Sequence, residues 1–251
     1  MDQQENYQRD QKLDGELQVE KSPVMVWLDN FWYHYKWHVI VISFFVAVLV
    51  LCLVQILDRP KYDVNFVVAG TYRMNSHEVT EYNEVVNRLL PEDYDGNGEK
   101  TVNIMAYQIF SEADVAEEVS KAEAQSEEFL INAKFNADEL NNFTQYTMTG
   151  DCSVFLLSPY LYQMLASEER LQPISAIYEG KDLPAGVTED GLGVYINQTH
   201  FYQYNPDVQV MPEDMILCVL KPLVWGNNSS EAAYAKDVAF FCGLVDYQVK
   251  E

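Results

Sequence analysis

One short stretch of the chain carries oxygen-bearing side chains at the spacing of a calcium loop. It is DYDGNGEKTVNI, residues 93–104, and its candidate metal ligands are Asp93, Asp95, Asn97 and Glu99. Oxygen ligands on alternate residues, with Gly98 at the sharp turn, match the first half of an EF-hand. The twelfth position is Ile104 instead of a bidentate glutamate, and the apolar residues after the loop predict a strand. The stretch predicts either a calcium site or an Asp/Gly/Asn turn that needs no metal.

Catalytic patterns are missing from the sequence. It contains no GxSxG, HExxH, P-loop or GxGxxG motif. Downstream of residue 60 the histidines are His77 and His200, and a lone histidine is more often structural than a general base. Asp and Glu are so frequent that spacing singles out no glycosidase-like pair. The sequence therefore predicts a protein that is not an enzyme.

The chain is strongly acidic, with 39 Asp and Glu residues against 16 Lys and Arg and a formal net charge of −23. Such a surface repels phosphates, which argues against DNA or RNA as a partner. The acidity either keeps a surface domain soluble or attracts a cationic partner or a divalent metal. The first interpretation is favoured, because solubility alone accounts for the charge.

An uncharged apolar run lies near the N-terminus. Residues 39–57 read VIVISFFVAVLVLCLVQIL. With Trp37 and His38, at about 1.5 Å per residue, the run reaches the roughly 30 Å of a bilayer's hydrocarbon core. Aromatic residues crowd its N-terminal side, as at a headgroup interface, and Asp58 begins a charged stop. We predict a transmembrane helix over 37–57 that holds the chain in the lipid bilayer.

The flanking segments complete a single-pass layout. Residues 1–22 have few large apolar residues and predict a disordered acidic tail. Residues 23–36 predict either an interfacial aromatic helix or a continuous extension of the membrane helix. A cleaved signal peptide fits poorly, because the apolar run starts late, is long and precedes no small-x-small site. We expect an uncleaved anchor in the cell membrane, with the large C-terminal domain exported.

Residues 62–251 predict one α/β domain. Strand candidates are the apolar runs 63–70, 101–110, 129–135, 153–159, 173–178, 193–196 and 215–222. A helix over 77–90 follows an N-cap at Ser76, and further helices are predicted after Asp138 and after Ser230. Strand, helix and strand in succession indicate a βαβ unit. We therefore expect a three-layer domain with a mainly parallel sheet.

Three segments of this domain resemble extracellular solute-binding proteins, which have the type II periplasmic-binding fold. FTQYTMTGDCSVFLLSPYLYQML (143–165) resembles that family's passage of helix, Gly-Asp, apolar strand, Ser-Pro-Tyr and helix. Residues 212–245 resemble its later strand, loop and Ala-rich helix, and GLGVYINQTHF (191–201) resembles the glycine-strand segment between them. The layout, with LDNFWYHYKWHVI before the anchor, is also similar to small single-pass proteins of Gram-positive gut bacteria.

The resemblance implies a ligand site beyond the carboxyl ends of the strands. The residues it places there are Gly70, Thr71, Tyr72, Ser158, Pro159 and Tyr160, with Tyr195 and Trp225 as aromatic walls. The alternative is that these are ordinary loop and packing residues. The family has two lobes and usually a lipobox cysteine, whereas Cys52 lies in the middle of the apolar run. We therefore expect a single lobe and not a complete ligand clamp.

Three functions are compatible with the sequence. The first is a membrane-anchored extracytoplasmic module that binds or senses a small molecule. The second is a non-catalytic subunit that docks a partner in a membrane complex for transport or secretion. The third is an enzyme. A ligand-sized cleft favours the first, an exposed apolar patch the second, and convergent titratable groups in a pocket the third.

Overall fold

A computed structural model describes residues 22–57, 61–125, 129–224 and 226–248. The chain divides into two units, Met1–Pro60 and Lys61–Glu251. Among the described residues, the first unit consists of one long helix and the second of the α/β domain. The predicted disordered tail falls, except for Ser22, outside the described residues.

The helix of the first unit, α1, runs without a break over Pro23–Leu57. Its segment Pro23–Gln55 is, among the described residues, the one helix long and apolar enough to cross a membrane. By length and composition it is compatible with a membrane anchor and with a signal peptide. Residues 23–36 are helical throughout, so of the two predicted alternatives the structure has the continuous extension.

The second unit is built on a mixed sheet. Within the described residues its strands are β1 Val64–Gly70, β2 Val102–Gln108, β3 Val154–Leu157, β4 Gly193–Tyr195 and β5 Ile216–Val219, in the order β2-β1-β3-β5-β4. β1 pairs in parallel with β2 and β3, whereas β5 is antiparallel to β3 and to β4. The prediction of a mainly parallel sheet was therefore wrong. A strand buried on both faces is a continuous apolar run in either direction, so the composition of β5 does not reveal its orientation.

Helices cover both faces of this sheet. They are α2 Ser76–Asn87, α3 Glu112–Ala124, α4 Ala133–Thr149, α5 Pro159–Ser167, α6 Ile174–Ile177, α7 His200–Tyr204 and α8 Glu231–Val245. Because side chains alternate along a strand, Phe66 of β1 packs on one face against Tyr82 of α2 and Phe240 of α8. Its neighbour Val67 belongs to the other face, with Phe143 of α4. The predicted three layers and the β1–α2–β2 unit are confirmed.

Two predicted strands are absent from the described residues, and part of each is helical. Residues 129–135 lead into α4, which begins at Ala133 because Asn132 accepts a cap hydrogen bond from the N–H of Phe135. Residues 173–178 contain the short helix α6 behind Pro173. Short apolar runs fit a strand or one buried helical turn equally well, so their composition could not separate the two.

The N-cap predictions were mixed. α2 is capped by Asn75 and not by Ser76, through a capping box with Glu78. α4 starts well before the predicted cap, Asp138. Ser230 caps α8 as predicted, by accepting from the N–H of Ala233.

Candidate functional site

The acidic loop between α2 and β2 is organised by its own backbone. The carboxylate of Asp93 accepts hydrogen bonds from the N–H groups of Gly96 at 2.8 Å and Gly98 at 2.7 Å. These N–H groups, with Gly98 contributing most, lower the pKa of Asp93, so the carboxylate stays ionised. Gly98 has a φ of 94°, a conformation that favours glycine. The predicted sharp turn is therefore present.

The other oxygen ligands of the predicted calcium loop also bond within the turn. Asp95 accepts from the backbone N–H and the side-chain amide of Asn97, both at 3.0 Å. Asn97 in turn accepts from the N–H of Glu99 at 2.7 Å. Each side chain thus bonds to the residue two positions later in the sequence, which is how Asp and Asn stabilise a turn that holds no metal.

Asp63 joins this loop from the start of β1. Carboxylate oxygens of Asp63, Asp93 and Asp95 lie within 4.8 Å of one another, and Glu99 is not in this group. The buried Asp63 carboxylate accepts from the N–H groups of Tyr94 at 2.7 Å, Asp95 at 3.1 Å and Thr101 at 2.8 Å. Sequence spacing did not indicate Asp63, because it precedes the loop by a strand and a helix. Calcium binding stays a prediction.

A polar cavity of about 180 Å³ lies on the other side of Asp63, at the amino ends of β1 and β3. Its walls are Tyr62, Asp63, Asn65, Asp151, Asn228, Ala233, Lys236 and Asp237. They come from the start of β1, the turn before β3, the 3₁₀ turn Asn227–Ser229 and the first half of α8. The ammonium of Lys236 donates to the backbone carbonyl of Asp63. Apolar patterns gave no sign of this cavity, since the polar side chains of its wall lie on no apolar stripe.

A line of buried polar groups forms the back of the cavity. The side-chain amide of Asn228 donates to the hydroxyl oxygen of Ser153 at 3.1 Å. The hydroxyl and the backbone N–H of Ser153 in turn bond to Asp237. Asn228 is only 3% exposed, and its Oδ1 has no hydrogen-bond partner. A buried acceptor without a donor is costly, so this oxygen marks a place where a donor is needed.

Asp237 is a buried acid, with 6% of its surface exposed. Burial raises its pKa from the usual 3.8 to about 6, against the opposing effects of the Ser153 hydrogen bonds and the nearby Lys236 charge. At neutral pH the group is therefore mostly ionised and carries a charge that the protein only partly compensates. This combination of a buried carboxylate and an unpaired amide oxygen is unusual for a purely structural position.

The structure places Gly70, Thr71, Tyr72 and Ser158 at the carboxyl ends of β1 and β3. Gly70 and Ser158 lie together: a Cβ on Gly70 would be 3.3 Å from the Cβ of Ser158. Thr71 accepts from Gln108 through its backbone oxygen, and the Tyr72 hydroxyl donates to Glu78 at 2.9 Å.

Two of the remaining implied residues lie away from the end of β1. Tyr160 follows Pro159 in the first turn of α5 and is 40% exposed. Tyr195 lies on the edge strand β4, separated from β1 by β3 and β5. Trp225 falls outside the described residues.

A second cavity, of about 190 Å³, does lie beyond the carboxyl ends of β1 and β2. Its walls are Arg73, Gln108, Phe110, Phe129, Leu130, Ile131, Asn132, Phe135 and Asn136. None of the implied ligand residues belongs to it. The Arg73 guanidinium lies 5.6 Å above the ring of Phe135, and Leu130 is 79% exposed. This edge of the sheet is thus more apolar than the cavity beside Asp237.

Comparisons with protein-family models, with curated proteins and with solved structures found no match for this chain.

Proposed function

We propose that the chain is a membrane-anchored, extracytoplasmic binding module for a small polar molecule, without catalytic activity. The observation that carries this proposal is the cavity beside Asp237, which is larger than the roughly 30 Å³ of one water. Its wall contains this buried carboxylate and Asn228, whose Oδ1 is unpaired. The apolar helix α1 supports attachment to the bilayer.

The domain is further proposed to be a single, shortened lobe of the solute-binding class. Support comes from the three-layer α/β architecture and from β1, which pairs in parallel on both sides and so creates a switch point between β1 and β3. The ligand position departs from the family pattern, because the polar cavity is at the amino ends of these strands.

Two measurements test this function. External protease added to intact cells should digest residues 61–251 before lysis, whereas protection until lysis would contradict the exported topology. Small polar molecules should raise the melting temperature of the full chain in detergent in a saturable way. The matched variant Asp237→Asn should lose this shift, and Asp138→Asn, an exposed substitution of the same kind, should keep it.

A partner-docking subunit is the second candidate, favoured by the apolar patch around the second cavity. Leu130 and Phe135 are exposed there beside Arg73, which suits a partner segment that is apolar and carries an acidic group. Leu130→Ser should then release a membrane partner that co-purifies with the wild type, while Asp237→Asn retains it. The opposite pattern would favour the small-molecule module.

A further inference from the structure

The buried polar atom that lines the cavity without a partner is a hydrogen-bond acceptor, and this indicates the chemistry of the ligand. At the back of the cavity the side-chain amide of Asn228 donates to Ser153, and Ser153 bonds to Asp237. Asn65 likewise donates to the backbone oxygen of Asp151 at 2.7 Å. The group left without a partner is an acceptor, the Oδ1 of Asn228. A ligand for this position must therefore donate.

The charge of the cavity favours a positive donor. Three of its wall residues are carboxylic acids, Asp63, Asp151 and Asp237, and one is a base, Lys236. The Asp63 carboxylate is engaged by three N–H groups of the acidic loop, and Lys236 bonds to the Asp63 carbonyl. Lys236 is the nearby charge that acts on Asp237. With three acids and one base, the wall as a whole still has a net negative formal charge, which stabilises a positive donor and repels an anion.

A metal ion fits this arrangement less well than a nitrogen cation. Metal binding needs several carboxylate oxygens close enough to share one ion. Among the described residues the grouping that meets this condition within 4.8 Å is Asp63 with Asp93 and Asp95, on the loop side, and it includes neither Asp151 nor Asp237. An ammonium group needs no such convergence, because its separate N–H bonds reach acceptors in different directions.

Resting on the proposed function, we infer that the ligand of this cavity carries a primary ammonium group, which donates to the Asp237 carboxylate and to Oδ1 of Asn228. Charge-assisted bonds of the ammonium to Asp237 compensate the buried charge. The bond to Asn228 satisfies the unpaired Oδ1 in the wall of this cavity. The cavity volume of about 180 Å³ also admits a short carbon chain attached to the nitrogen.

Ethylammonium is the probe for this inference, with tetramethylammonium as the control cation that has the same charge and no N–H. Binding is measured by calorimetry on the full chain in detergent at constant ionic strength. We expect saturable binding of ethylammonium only. Equal binding of tetramethylammonium would overturn the inference, because charge alone would then explain the effect.

Three variants locate the binding. Asp237→Asn keeps the side-chain shape and removes a buried charge, so it folds, and it should weaken ethylammonium about 10- to 100-fold. Asn228→Ala should weaken it about two- to tenfold. Asn197→Ala is the matched control, because its Oδ1 is also unpaired but lies outside the cavity. Unchanged affinity in Asp237→Asn would overturn the inference.

The failure of this inference differs from the failure of the proposed function. If ethylammonium does not bind but a neutral or anionic compound gives a saturable shift that Asp237→Asn abolishes, the module stands and the ammonium ligand is wrong. If no compound of any charge binds the wild type, both are wrong. Circular dichroism of each variant confirms that lost binding is not lost folding.

Discussion

At the scale of single residues, Asp237 combines two properties that oppose each other. It is buried, which disfavours its charge, yet it lies where the proposed ligand needs that charge. The raised pKa of about 6 is the result. A buried charge of this kind lowers the stability of the folded state, and a bound ligand of opposite charge would compensate the loss. Residues with strongly shifted pKa values cluster at functional sites.

Asp237 therefore gives the protein a component of stability with a defined pH dependence. Its folded pKa lies above the unfolded value of 3.8, so its contribution is fully present below about pH 4 and is lost as the pH rises through about 6. This difference of about two between the folded and the unfolded pKa corresponds to roughly 3 kcal/mol of unfolding free energy. Asp237→Asn should remove this component. Between pH 4 and pH 7 the free energy of unfolding of the variant, measured by urea denaturation, should therefore rise by about that much relative to wild type. The same difference in the exposed variant Asp138→Asn would contradict the assignment.

The predicted calcium loop has its own test at this scale. If the loop binds calcium, about 1 mM Ca²⁺, within the range of extracellular modules, raises the melting temperature of chelator-treated protein. Asp93→Asn should abolish the increase, while Asp114→Asn, at the capping box of α3, should not. An unchanged melting temperature in the wild type would leave the loop as a hydrogen-bonded turn only.

At the scale of elements, α4 begins at a different residue from the one that the sequence predicted, and two substitutions can separate the observed N-cap from the predicted one. Asn132 accepts the N–H of Phe135 at 3.1 Å, whereas Asp138 lies inside the helix and is exposed. Asn132→Ala should cost about 1 kcal/mol of unfolding free energy, the usual value of an N-cap. Asp138→Ala should change stability by less than about 0.5 kcal/mol, as exposed substitutions do. Equal losses in urea denaturation would place the start of α4 where the sequence predicted it.

The elements also show what could be predicted from the sequence. The apolar helix, the β1–α2–β2 unit and the Ser230 cap were predictable, because each has a local signal several residues long. The direction of β5 and the helical state of residues 173–178 were not, since they depend on packing against distant strands. The cavity beside Asp237 could not be predicted, because Asn65, Asn228 and Asp237 meet only through the tertiary fold.

At the scale of the whole molecule, a net charge of −23 on 251 residues creates repulsion that the fold must overcome. Added salt screens this repulsion over a Debye length of roughly 10 Å at 0.1 M. The melting temperature should therefore rise between about 20 mM and 300 mM sodium chloride. Sodium and choline chloride should act alike, because choline has no N–H to offer the cavity. A fall in melting temperature with salt would show that attractive ion pairs outweigh the repulsion.

Asp63 contacts both the acidic loop and the wall of the cavity beside Asp237. Its carboxylate holds the acidic loop, and its carbonyl binds Lys236 in the wall of the cavity. A cation bound in the loop and a ligand bound in the cavity would therefore both act on one residue. If binding at one place changes the affinity of the other by some factor, linkage requires the same factor in the reverse direction. Asp63 is the residue at which such a coupling would be tested.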